Sequence, residues 1–220
     1  MNAPQEIRQF RNFQWGEHIV VGGDCSQGGD DENWCQFISK TKIDVPMVYQ
    51  KKGVAAEMTT DIYPILGNIY KQTGIPPTVA FERQNGGGSE MERLHVLNRE
   101  MKYEIFLMPQ IGHEESKSSG KLGWDTNTAT RPIILGDLKN CINGKGLLIY
   151  DKLTIRQLFD FIVNKNGKPE ASSGKHDDAV MSLAIAWQLF LRVDLKVPLS
   201  SHAESSDGGT VDKHSPIYTI

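Results

Sequence analysis

Three acidic positions lie far apart in this chain, yet each stands where a fold can present a carboxylate. Asp24 follows the run His18-Ile-Val-Val-Gly-Gly, Glu82 follows Thr78-Val-Ala-Phe, and Asp177-Asp178 precedes the helix-like stretch Ala179-Val-Met. Asp and Glu are the side chains that hold magnesium or manganese, hard ions that take oxygen ligands and retain several waters. Two such ions roughly 4 Å apart make a water nucleophilic and stabilise the leaving oxygen of a phosphodiester, so two-metal phosphodiester hydrolysis is the chemistry to consider. Spacing along the chain is immaterial to it. Convergence in space is what counts, and the carboxyl ends of neighbouring strands are where open α/β sheets collect their sites. Carboxylates gathered there raise one another's pKa unless a cation neutralises them.

Taken singly, each position has a plainer explanation. An aspartate before a helix is a common N-cap, which covers Asp177 and Asp178. Asp24 fits a turn. Glu82, closing the buried-looking run Val79-Ala80-Phe81, is costly without a partner, and Arg83 is the nearest candidate. His176 reads as a ligand, as a donor to one, or as a structural histidine beside a cap. Other chemistries lack their residues: there is no Gly-x-x-x-x-Gly-Lys-Ser/Thr loop and no Gly-x-Ser-x-Gly, and Gly86-Gly87-Gly88 reads as a flexible turn. Cys25, beside Asp24, has no base near it in sequence that would make it a nucleophile.

The elements that must position these acids can be read from pattern. Ile19-Val20-Val21 suits a buried strand closed by Gly22-Gly23, with Gly28-Gly29-Asp30-Asp31 as the following turn. Trp34–Lys42 and Val45–Gln50 complete an antiparallel meander, in which Pro46 marks the third strand as an edge. Val54, Met58, Ile62, Leu66 and Ile69 recur at helical spacing, predicting a helix over Val54–Lys71 that Gly74 and Pro76-Pro77 stop. A fourth strand at Thr78–Glu82, a helix over Glu90–Arg99 and a fifth strand at Tyr103–Met108 follow, an order that implies parallel pairing. Gly112–Ser119 reads as a long polar loop that could gate a groove. Arg131-Pro132 starts a helix to Ile142, and Leu147–Tyr150 adds a short strand. Thr154-Ile-Arg-Gln157 has capping-box spacing ahead of a helix with Leu158, Phe161 and Ile162 on its apolar face. The last helix opens at His176-Asp177-Asp178 and buries Val180, Met181, Ala184, Trp187 and Leu191.

Composition sets the frame. The 220 residues suffice for one core, with 39% hydrophobic and 23% charged residues and no apolar stretch of membrane-spanning length, so a soluble globular domain is expected. Met1-Asn-Ala-Pro-Gln-Glu lacks the basic start and apolar run of a secretory leader. Cys25, Cys35 and Cys141 are odd in number and show no Cys-x-x-Cys spacing, which points to reduced thiols in an intracellular chain. The net charge is −3, but from Lys117 to Lys175 ten basic residues face five acidic ones, a balance that allows a cationic face. Three regions are expected: a lead-in at 1–17, a domain at 18–193 and a disordered tail at 194–220.

With these residues in place the chain resembles the nuclease domain of bacteriophage large terminase subunits. The order Asp24, Glu82, His176-Asp177-Asp178 carries the likeness, joined by Lys121-Leu-Gly-Trp-Asp-Thr-Asn127 before Arg131-Pro132, by Gly167-Lys-Pro-Glu-Ala171, and by Gly174-Lys-His-Asp-Asp-Ala179. The resemblance implies an α/β, RNase H-like fold: a central five-stranded or larger mixed sheet flanked by helices. It implies a metal-dependent endonuclease that cleaves concatemeric viral double-stranded DNA during genome packaging in the host cell cytoplasm. Two Mg2+ or Mn2+ ions would be held by Asp24, Glu82, Asp177 and Asp178, with either aspartate of the pair as the helix ligand. His176 would stand behind them, and Lys121, Arg131 and Lys175 are candidate DNA contacts. The implied partners are portal protein, the small terminase subunit and an ATPase domain that this chain lacks. Competing readings are another RNase H-like enzyme, such as a junction resolvase or transposase, separable by branched substrates, and a non-catalytic docking module, separable by metal titration.

Overall fold

The structure is a computed structural model that describes residues 6–101, 106–107, 121–163, 169–171 and 177–198. Along the chain run β1 (Ile7–Gln9), β2 (Ile19–Asp24), β3 (Gln27–Ser39), β4 (Asp44–Val54), α1 (Ala55–Thr73), β5 (Thr78–Phe81) and α2 (Gly87–Met101). Then come β6 (Phe106–Leu107), α3 (Thr130–Asn143), β7 (Leu148–Ile149), α4 (Lys152–Asp160), β8 (Phe161–Val163), β9 (Pro169–Ala171) and α5 (Asp178–Arg192). The expected Gly112–Ser119 loop, His176, Lys175 and most of the tail lie outside the described residues.

Among the described residues, the β-branched run of β2 occupies the middle of a seven-stranded mixed sheet ordered β1-β4-β3-β2-β5-β6, with β7 alongside β4. Ile19, Val20 and Val21 have no exposed surface. β2, β3 and β4 form the antiparallel meander, while β5 pairs in parallel with β2 on one side and with β6 on the other. Alternation along the strands splits the core. Val20, Trp34, Ile38, Val48 and Ala80 face α3 and α5. Ile19, Val21, Phe37, Tyr49, Val79 and Phe81 face α1 and α2. This is the mixed sheet between helical layers expected from the sequence.

Several local expectations are corrected. Gly28-Gly29-Asp30-Asp31 is not the turn: the chain reverses at Cys25-Ser26, and these residues belong to an irregular start of β3, whose pairing with β4 shifts between Gln27 and Glu32. β4 is no edge strand. Its outer side is taken by β7 at Asp44-Val45 and by β1 at Met47–Tyr49, and Pro46 stands between the two stretches, where its missing N–H interrupts neither ladder. The pattern gave residues 7–9 no element because three residues carry too little periodicity, yet they form β1, and Arg11 just beyond it bonds Glu17 and Asp44.

Around α4 the correction is chemical. The N-cap is Asp151, whose carboxylate accepts from the backbone N–H and the hydroxyl of Thr154, both at 2.8 Å, while Arg8 binds its other face at 2.7 Å. Burial alone would raise the Asp151 pKa, but these bonds outweigh it and hold the carboxyl below its usual range. Thr154 is therefore an interior residue of the first turn, and Gln157 is free for another partner. Phe161 and Ile162 leave the helix to form β8, which pairs with β9 in a separate two-stranded antiparallel sheet. On α5, Leu191 is exposed, whereas every residue from Ala179 to Leu189 is buried, a helix enclosed on all sides rather than along one stripe.

Candidate active site

Asp24 and Glu82 reach the same place because their strands are parallel neighbours. β2 and β5 pair through Gly23 and Phe81, so the next residue on each, at the carboxyl end, is an acid, and the Glu82 N–H donates to the Gly23 carbonyl at 2.8 Å. Both residues are nearly enclosed, with 8% and 7% of their surface exposed. Two glycines permit this approach. A Cβ on Gly22 would overlap the backbone of Ser182 and Ala186, because α5 crosses β2 there. A Cβ on Gly87 would overlap the Glu82 carbonyl, so this glycine is a packing requirement at the start of α2 and not part of a flexible turn. The turn itself is made by Asn85 and Gly86, both at positive φ.

Ser182 lies one helical turn after Asp178, so the crossing at Gly22 brings the start of α5 to the Asp24 end of β2. The electrostatics agree. Burial raises the Asp24 pKa well above the usual carboxylate range, and Glu82, Asp178 and Asp177 add to the effect in that order. Cys25 feels the same surroundings: burial first, then Cys35, Asp24 and Glu82, push its thiol far up, which removes it as a nucleophile.

Asp177 and Asp178 differ in position, Asp178 being the first residue of α5. Asp177 occupies the N-cap position of α5 but makes no side-chain cap hydrogen bond; its carboxylate accepts from Arg131 Nη2 at 2.5 Å. Arg131, expected to face phosphate, is thus engaged within the protein. Arg83 is not the partner of Glu82, for its guanidinium donates to the Leu122 carbonyl at 2.7 Å. Lys121 is exposed, three residues before Trp124, whose backbone pairs with Glu82 and extends the sheet edge at the site. Sequence reading missed Trp124 and Gln157 as neighbours of the acids. Gln157 accepts the Ala179 N–H at 2.9 Å, and a neutral amide in a helix gives no sign of that.

The donor set consists of hard carboxylate oxygens, the type magnesium and manganese prefer. Among the described residues no three His, Cys, Asp or Glu side chains are grouped closely enough to cage an ion by themselves. Asp24 and Glu82, side by side at the ends of two parallel strands, fit an ion that completes its shell with water and a substrate phosphate rather than an all-protein cage.

No family model and no curated protein matches the chain by sequence. Solved structures do match it by shape. The large terminase nuclease from thermophilic phage G20c is 15% identical with a TM-score of 0.60, covering 85% of this chain and 90% of that one. Its magnesium-bound form matches at 14% identity and the same TM-score of 0.60, over 85% and 89% of the two chains. The manganese-soaked human cytomegalovirus terminase nuclease domain is 7% identical with a TM-score of 0.51, over 82% and 91%. Sheet order, flanking helices and these likenesses together give the chain the RNase H-like α/β fold of the large terminase nuclease domains.

Proposed function

We propose that this chain is a divalent-metal-dependent endonuclease that cleaves concatemeric viral double-stranded DNA during genome packaging. The observation that carries the reading is that the parallel neighbours β2 and β5 end on two buried acids, Asp24 and Glu82, and that α5, which opens at Asp177-Asp178, crosses β2 at Gly22 just before Asp24. Uncompensated, such a group is electrostatically unfavourable, and a divalent cation is what relieves it. Support comes from fold neighbours recorded with bound magnesium and after a manganese soak. Bound magnesium or manganese would supply an activated water and charge at the leaving oxygen.

The chain's own part is positional. Asp24 and Glu82 would offer oxygens from two parallel strand ends fixed by the sheet ladder, and Asp178 would add a third from the N-terminus of α5, where the helix dipole favours negative charge. Exposed Lys121, beside the Trp124 segment, is available to phosphate. Portal protein, the small terminase subunit and an ATPase domain are the proposed partners, with the host cytoplasm as the setting. Supercoiled plasmid incubated with manganese should be nicked and linearised by the unaltered chain, and Asp24→Ala should slow this at least about 100-fold. Equal cutting by both, or none by either, would sink the reading.

A further inference from the structure

The first turn of α5 is held from outside the helix. A capping aspartate ordinarily accepts one of the free backbone N–H groups of its own first turn. Here Asp177 makes no such bond, and the Ala179 N–H donates instead to Oε1 of Gln157 on α4 at 2.9 Å. Gln36 on β3 approaches the same residue from the sheet, its Nε2 lying 3.5 Å from the Ala179 carbonyl and 2.8 Å from Thr154 Oγ1. Thr154 in turn is bonded to the Asp151 cap, so this clamp on α5 is anchored at the base of α4. Relieved of capping, the Asp177 carboxylate turns to α3 and binds Arg131, the two side chains being 26% and 24% exposed. A pair this enclosed is held more firmly than a surface ion pair.

We propose that Gln157 and Arg131 are positioning residues of the acidic site, jointly orienting the Asp177-Asp178 turn towards Asp24 and Glu82. The inference rests on the metal-site reading above. Gln157 fixes the height of the turn by gripping its backbone, and Arg131 fixes its rotation by gripping one of the two carboxylates. With both in place the carboxylates of neighbouring residues cannot exchange roles without breaking an ion pair or a helix cap. Groups that orient metal-holding side chains commonly alter metal affinity by 10–100-fold when removed.

The test is calorimetric titration of the purified 220-residue chain with manganese, with thermal melting in a chelator run in parallel. Gln157→Met keeps the size of the side chain but cannot accept the Ala179 N–H as an oxygen does, and it should weaken manganese binding about tenfold. Gln157→Glu keeps the acceptor and should restore binding. Arg131→Met should also weaken it about tenfold, and Arg131→Lys, which keeps the charge but loses the fork, should recover part. A purely structural role would lower the melting temperature and leave the affinity of the folded protein unchanged. Unaltered affinity in both methionine variants therefore overturns the inference while leaving the metal site standing. No manganese uptake by the unaltered chain overturns both.

Discussion

Asp24 is an acid held where its charged form is disfavoured, first by burial and then by Glu82, Asp178 and Asp177. Because its folded pKa lies above its unfolded value, the metal-free protein binds this proton more tightly than the unfolded chain does. The stability it lends is fully present below the ordinary carboxylate range and is lost as pH rises through the raised value. Asp24→Asn should therefore flatten that decline and, at neutral pH in a chelator, stabilise the fold by on the order of 1 kcal/mol, as relief of a strained site commonly does. Urea denaturation across pH measures it, and a less stable Asn variant would contradict the repulsion. The residue types were legible from sequence, since acids ending apolar runs are conspicuous. Which of Asp177 and Asp178 pairs with Arg131 was not, because both fit a helix start equally well until Arg131 is seen beside one of them.

At the scale of elements, the crossing of α5 over β2 decides whether the acids meet. Gly22 lies under the Ser182 carbonyl and the Ala186 N–H, where backbone atoms cannot move aside as a flexible side chain would. Gly22→Ala should cost about 2 kcal/mol in chemical denaturation, in the range of overpacking a close-packed interior. Cleavage should fall by more than the lost folded fraction explains, since lifting α5 carries Asp178 away from Asp24. Activity falling only in proportion to stability would show that the site tolerates the shift. Helix and strand positions were largely readable from apolar spacing, as in α1 and β5. The errors fell where context overrode it. Thr154 has capping-box spacing, but Asp151 lies one turn earlier with Arg8 to anchor it and takes the cap. Leu191 continues the apolar stripe of α5 beyond the point where the sheet covers it.

For the whole molecule, His18 ties together the starts of two strands and the segment after α5. It is fully buried, its Nε2 3.2 Å from Thr78 Oγ1, and its Nδ1 accepts the Lys196 N–H at 3.2 Å, which makes the neutral ring with a proton on Nε2 the form that fits. Burial, and after it the charges of Lys40 and Lys196, lower its pKa to about 4. A depressed histidine lends stability above its unfolded pKa and loses it as pH falls towards the folded value. Between pH 6.5 and about 4 the fold should therefore lose up to about 3 kcal/mol from this group. His18→Gln should remove that part of the slope, and an unchanged profile from pH 6.5 to 4 would assign the acid sensitivity elsewhere.

By itself the sequence determined what local chemistry can specify: apolar runs of strand or helix length, the glycines and prolines that end them, and acids suited to magnesium at three of their ends. Such properties depend on residues a few positions apart, so periodicity reports them. Only the tertiary structure decided that β2 and β5 lie side by side in parallel, that β4 is covered by β1 and β7, that Gln157 and not Asp177 caps α5, and that Arg131 takes Asp177 for itself. Each of those choices joins groups separated by many residues. Their energies depend on distance and enclosure in space, which no local pattern encodes.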